Sequence, residues 1–537
     1  MKFFNSILSA FLLTSTSLAL EDTKVEKGFD KADVEAAFAN DQFFNGILDS
    51  NVKRNLDGPP IFDVGQLKSA IAGVANPYTP YTTLSQYTEM KYDVLRIWMD
   101  MDVGIFFSNA LLQKYGSDEM HSGYVYIPVV KGEGNEFSII NARKLSPWFQ
   151  FPGTTLSQND SRLVATQPGF GVAEYAMMAA SNGYVAFVPQ KTGFGESNAL
   201  VPTEVVKKSI ATSSLPLYAW TEKLIREETN GMTKLDNKAV YAGYSSGGYA
   251  AVAAADGFKK HGIRPSQVLA STLPARLESW VIMGVVRSIK EGKYNMFAHF
   301  NVAANTVALS ELYGANVINS SLTPAYNSIF QYDATPSSFM KGISWILEEG
   351  TTPSDLHRDN TEIFLQVWPF SLGAPNSNPG VPVSSNLDPE VYDHFKAALD
   401  NGIEDPCGDT GMGYATYKEN VAKVCMAAME NSLTKIIEKA KYPIDICMMQ
   451  NDPLVAFENG VVPKNGRFVA LPDQKGRHDL GSVGCAFELF SGFEMNPKGT
   501  KAPKAMKGSK APKSMKGTKS PKASKTPKSS ETGGVPV

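Results

Sequence analysis

Histidine and cysteine are scarce in this chain: 537 residues hold six histidines and four cysteines, with no Cys-x-x-Cys pair and no clustered His/Cys spacing. That argues against a structural zinc site, which needs ligands at short, repeated spacings. Long apolar runs are also missing. The largely apolar run from Phe3 to Leu13 falls short of the roughly 20 residues needed to span a bilayer, and no other stretch reaches that length. The body has no excess of positive charge. The formal net charge is −3, but Lys498 to Val537 carries eleven lysines against one glutamate, a net +10, so the remainder carries −13. An acidic body gives no footing for nucleic acid, and none is expected as a partner.

The chain opens with "MKFFNSILSAFLLTSTSLAL". Lys2, the short apolar run and the small residues Ser17 and Ala19 have the layout of a secretory signal peptide. Residues 1–20 are expected to be removed and the protein to be secreted or extracellular. Cys407, Cys425, Cys447 and Cys485 all lie in the last third. In an oxidising compartment this even count suggests two disulfides, with three connectivities open. Asn159-Asp160-Ser161 and Asn319-Ser320-Ser321 match the N-glycosylation pattern, a weak signal by itself.

With 43% hydrophobic residues, the chain can bury a large core. "YDVLRIWMD" (92–100), "SGYVYIPVV" (122–130), "YVAFVP" (184–189) and "KAVYAG" (238–243) are β-rich apolar runs. Helical spacing covers 204–228. Strands alternating with helices imply an α/β fold, with a mostly parallel central sheet and helices on both faces. From about 273 to 430 the pattern is mainly helical and reads as an inserted cap. Strands resume at "PIDICMM" (443–449) and "RFVALP" (467–472). The expected organisation is a domain over 21–495 with that insertion, then a lysine-rich tail over 496–537.

Gly243-Tyr244-Ser245-Ser246-Gly247 matches G-x-S-x-G between a buried strand and a helix of small residues. A serine between glycines is either an ordinary turn residue or a nucleophile on a strand-to-helix elbow, held out above the sheet. A nucleophilic serine needs a base, and the base needs a carboxylate to orient it. In the elbow architecture the chain order is Ser, then Asp or Glu, then His. His478, in "LPDQKGRHDLGS", is the histidine that follows both the elbow and a late strand. Asp452 follows the 443–449 strand, with Asp479 second. Asp445 and Asp473 read as structural. The oxyanion hole would take the N–H of Ser246 and that of Thr154, in the turn "FPGTT" (151–155) after an earlier strand.

These segments resemble an α/β-hydrolase of the secretory lipase and esterase kind, over roughly 90–275 and 440–490. "GYSSGG" resembles the family's elbow, "NDPLV" its acid loop and "GRHD" its base loop. "SNGYVAFVPQKTGFGES" resembles a recurrent strand-and-turn segment, and "PGTT" stands where many members have His-Gly-Thr. Pro152 replaces that histidine. The resemblance implies ester hydrolysis through Ser245, His478 and Asp452, with no metal or organic cofactor, on small-molecule or lipid esters. An aminopeptidase on the same fold is an alternative, with Glu349 or Asp355 as amine anchors. A non-catalytic cell-wall relative is another, though such proteins typically lose a triad member. In that fold the disulfides are expected to be Cys407–Cys425 and Cys447–Cys485, the second bracing the acid and base loops. The apolar stretch Trp280 to Val286 is a candidate lid, with a buried cap core as the alternative. In the tail, lysine recurs at every third position from Lys498 to Lys528. A polyproline II conformation would line these lysines along one side and suit an anionic matrix: polysaccharide, silica or acidic lipid.

Overall fold

The computed structural model describes residues 61–65, 90–102, 120–132, 137–152, 172–189, 205–291, 309–310, 312–317, 387–408, 417–452, 455–472, 484–485, 488–490 and 493. All belong to the compact unit Met1–Pro497, and the tail forms a second unit, Lys498–Val537. Eleven strands form one mixed sheet: β1 (Ile61–Phe62), β2 (Asp93–Asp102), β3 (Met120–Lys131), β4 (Phe137–Ile139), β5 (Lys144–Phe151), β6 (Tyr184–Pro189), β7 (Lys234–Leu235), β8 (Lys238–Tyr244), β9 (Arg264–Ser271), β10 (Ile444–Met449) and β11 (Phe468–Leu471). The order along the sheet is β1-β2-β3-β6-β5-β8-β9-β10-β11, with β4 on β3 and β7 on β5. Pairings from β1 through β3 to β6 are antiparallel, and those from β6 through β5 to β11 are parallel.

Among the described residues there are seven α-helices: α1 (Val172–Ser181), α2 (Lys207–Glu228), α3 (Ser246–Lys259), α4 (Trp280–Lys290), α5 (Pro389–Asp400), α6 (Glu419–Asn431) and α7 (Thr434–Lys439). Strand alternation sends side chains to two cores. Val125, Ile127, Phe149, Phe187 and Tyr241 pack on one face with α2 and α3. Tyr124, Tyr126, Trp148, Ala186 and Val240 pack on the other with α1 and Phe490. Both faces are covered, so β6 and β10 can be buried at every position. A mixed sheet flanked by helices is consistent with an α/β-hydrolase fold.

One feature differs from the sequence reading, and one open alternative is decided. The strand β9 was not anticipated. Its first half, Arg-Pro-Ser-Gln, is polar and partly exposed, and only Val268 to Ser271 is fully buried. The stretch Trp280 to Val286 forms the start of α4. Ile282, Met283, Val285 and Val286 are buried with residues of α5 and α6, which favours a packed helix over an exposed lid. The start of α5 follows ordinary capping chemistry. Asp388 accepts from the N–H groups of Glu390 (3.0 Å) and Val391 (3.1 Å), and Pro389 takes the first turn, where no donor is needed.

Both disulfides have the expected pairing. Cys407–Cys425 joins the end of the α5 segment to α6, and Cys447–Cys485 joins β10 to the segment after His478. No helix among the described residues is long and apolar enough to cross a membrane.

Candidate active site

Ser245 joins β8 to α3 with φ 54° and ψ −129°, a region open almost exclusively to glycine. Serine is a favoured N-cap because its oxygen can accept from the first helical N–H groups. Ser245 stands at the N-cap of α3, yet its side chain makes no capping bond. The hydroxyl is therefore not spent on the turn. The backbone is held instead, with the Ser245 N–H donating to the Ser271 carbonyl (2.9 Å) and its carbonyl accepting from Tyr249 N–H (3.1 Å).

The flanking glycines let three backbone segments meet. A Cβ on Gly243 would lie 2.2 Å from the Gly247 carbonyl oxygen. One on Gly247 would lie 2.3 Å from the oxygen of Phe151 and 2.5 Å from that of Pro152. The helix thus presses its first turn onto the end of β5, and the alanine-rich stretch Ala250 to Ala255 lets the rest follow the sheet closely. Ser246, the expected oxyanion donor, is the first residue of α3 and is buried.

One turn below the elbow, the buried Tyr249 hydroxyl lies 2.7 Å from two carbonyl oxygens, those of Val205 and Asn431. Burial pushes its pKa well above the ordinary 10, so it stays a neutral donor. The Asn431 side-chain oxygen accepts from Lys207 N–H (3.2 Å), and Lys207 Nζ donates to the Ser432 carbonyl (3.2 Å). These bonds tie the elbow helix to the start of α2 and the junction of α6 with α7.

Asp452 follows β10 by three residues, and its Oδ1 accepts from Val455 N–H at 2.9 Å. The strand β9 separates β8 from β10, so Ser245 and Asp452 follow strands with one strand between them in the sheet. Asp445 is structural: it accepts from Arg467 N–H (2.9 Å) and Nε (3.0 Å) across to the start of β11. His478, Thr154, Asp473 and Asp479 lie outside the described residues. Two other histidines are accounted for. His261 follows the C-terminus of α3, at the other end of the helix from Ser245, and His394 Nε2 pairs with the Pro406 carbonyl at 2.8 Å. No group of three His, Cys, Asp or Glu residues able to hold a metal occurs among the described residues. Sequence reasoning passed over Thr272, which follows the unanticipated β9 and therefore had no strand end to mark it.

No protein-family model matches this chain, and no curated protein matches it. Solved structures do resemble it. A protein of Legionella pneumophila assigned as a hydrolase has 12% identity over 82% of this chain and 97% of its own, with a TM-score of 0.49. The rice cell wall degrading esterase LipA of Xanthomonas oryzae has 16% identity over 80% and 92%, at 0.49. Candida antarctica lipase A in its closed state has 11% identity over 76% and 84%, at 0.36. Such distant likenesses transfer no activity. The functional reading rests on the elbow of this chain.

Proposed function

We propose that this chain is an extracellular α/β-hydrolase that cleaves carboxylic esters, lipase-like in substrate class, with Ser245 as nucleophile. The observation that carries the reading is the strained Ser245 backbone together with a hydroxyl that does not cap its helix. Strain of this kind persists only where the surroundings impose it, and it clusters at functional sites. The two disulfides suit an oxidising, extracellular compartment. The described helices between 273 and 430, with their own apolar cluster, support the reading of a helical cap over the sheet.

In this mechanism Ser245 Oγ attacks the ester carbonyl while His478 takes its proton. Asp452 orients the imidazole and stabilises its positive charge. The N–H groups of Ser246 and Thr154 hold the oxyanion. Collapse of the tetrahedral intermediate expels the alcohol, protonated by His478, and leaves an acyl-serine. Water, deprotonated by the same base, then releases the acid and restores Ser245.

The test is turnover of p-nitrophenyl butyrate by the purified protein and its Ser245→Ala and His478→Ala variants. Each substitution should remove nearly all activity while thermal unfolding stays unchanged. Parent-like turnover by Ser245→Ala would refute the assignment. Faster cleavage of an amino-acid anilide than of the ester would favour an aminopeptidase instead. The lysine repeat of the tail supports tethering to an anionic matrix: polysaccharide, silica or acidic lipid. Such binding should weaken steeply with salt. Deleting residues 497–537 should abolish retention on a polyanionic resin at low salt and leave ester turnover intact.

A further inference from the structure

Among the described residues, three that are not glycine have positive φ: Asn230, Ser245 and Thr272. Asn230 lies in the turn that closes α2, a setting asparagine tolerates. Ser245 is the elbow. Thr272, at φ 45°, is β-branched, and for such a residue the left-handed region is a genuine outlier. It is pinned from two directions. Its N–H donates to the Cys447 carbonyl at 2.7 Å, and the carbonyl of its neighbour Ser271 accepts from Ser245 N–H.

The side chain of Thr272 is fully buried, 0% exposed, and its hydroxyl has no hydrogen-bond partner among the described residues. Leaving a buried hydroxyl unpaired is costly, and valine would fill nearly the same space without that cost. Glycine would hold the same backbone without strain. The chain bears both costs at one position, and that position adjoins the nucleophile. Ser271 is the register partner of Tyr244 in β8 and of Cys447 in β10. Thr272 therefore stands at the strand end between Ser245 and the strand leading to Asp452. Ser245 is itself only 6% exposed, so a reacting ester must be received among groups that are buried at rest.

We propose that Thr272 is a substrate-contacting residue of this site, its hydroxyl hydrogen-bonding to a polar atom of the bound ester in the reacting complex. The inference rests on the ester-hydrolase reading and adds a residue to it. Tyr241, Ser279 and Tyr442 also carry buried hydroxyls without a partner among the described residues, but Thr272 adds a strained backbone at the strand end beside Ser245. A hydroxyl left unpaired there in the ligand-free protein can donate or accept when the ligand arrives.

The experiment uses the full chain and p-nitrophenyl butyrate, with Thr272→Val, Thr272→Ser and Ser245→Ala compared in turnover and urea unfolding. Thr272→Val removes no bond of the resting protein, so it should unfold at the parental urea concentration. Its kcat/KM should fall about tenfold or more, the signature of a contact made in the reacting complex. Thr272→Ser, which restores a hydroxyl, should recover most of that loss. Unchanged kcat/KM in Thr272→Val overturns the proposal. So does a loss of stability in that variant, or an equal loss of activity in Thr272→Ser. If Ser245→Ala is inactive and Thr272→Val fully active, only the role of Thr272 falls. If Ser245→Ala turns over like the parent, the ester-hydrolase reading falls and takes Thr272 with it.

Discussion

Gly247→Ala tests the elbow most directly, because the obstacle it meets is backbone. Its new methyl would lie 2.3 Å from the Phe151 oxygen, 0.7 Å inside the 3.0 Å limit that real Cβ contacts respect. Phe151 cannot retreat easily: it ends β5, paired to β8 through its register with Gly243. The helix α3 must lift instead, and eleven of its residues are buried. Overpacking of this kind typically costs 1–3 kcal/mol, and an unyielding backbone argues for about 3 kcal/mol or more. The matching control is Gly402→Ala. Gly402 has φ +67° but no atom within 4 Å of a Cβ, so only the backbone penalty of about 1 kcal/mol applies. Urea unfolding separates the two. With a slope of about 3 kcal/mol per molar, Gly247→Ala should lower the midpoint by about 1 M and Gly402→Ala by about a third of that. Ester turnover should fall in Gly247→Ala alone, since lifting α3 moves Ser245 and the Ser246 N–H together away from the end of β5. Equal midpoints for the two variants, with parental turnover in both, would refute the close-approach argument.

Other expectations concern the supports around the site. Loop closure predicts that removing Cys447–Cys485, with a sequence separation of 38, costs about 4 kcal/mol. Removing Cys407–Cys425, with a separation of 18, should cost about 3. Paired Cys→Ala variants compared in urea would show the reverse order if loop length did not govern the effect. Tyr249→Phe strips the hydroxyl shared by the Val205 and Asn431 carbonyls and should destabilise by about 1–2 kcal/mol in the same assay. An unchanged midpoint would mean that hydroxyl is idle. Burial raises the Glu458 pKa, but the paired Arg287 guanidinium outweighs it and holds the carboxyl below its ordinary 4.5. A depressed folded pKa means this pair stabilises above about pH 4.5 and the contribution is lost as pH falls through the folded value. Both side chains are about one-third exposed, so screening keeps the effect under about 1 kcal/mol. Arg287→Met should flatten unfolding free energy against pH between about 5 and 3, and an identical slope would refute the pairing.

Much of the fold was legible because burial on both faces writes itself as continuous apolar sequence. "YVAFVP" and "KAVYAG" read directly as strands, and the structure has them as β6 and β8. The turn at Ser245 was legible from its glycines, since close approach admits no other residue there. The Cys447–Cys485 pairing followed from which elements must pack together, and Cys407–Cys425 from the short loop it closes. The strand β9 was not legible. Its exposed first half carries Pro265 and Gln267, and local propensity sees nothing of the parallel neighbours on either side that recruit it.

By itself, then, the sequence determined which segments could be strands and where the glycine-flanked turn at Ser245 falls, because apolar runs and glycine spacing are local properties. Only the tertiary structure decided that the Ser245 hydroxyl does not cap α3, that α4 is packed against α5 and α6, and that Thr272 carries a hydroxyl unpaired among the described residues, next to the strand end that holds Ser245. Each depends on what a side chain meets across strands and helices far apart in the chain. No spacing along the chain encodes that.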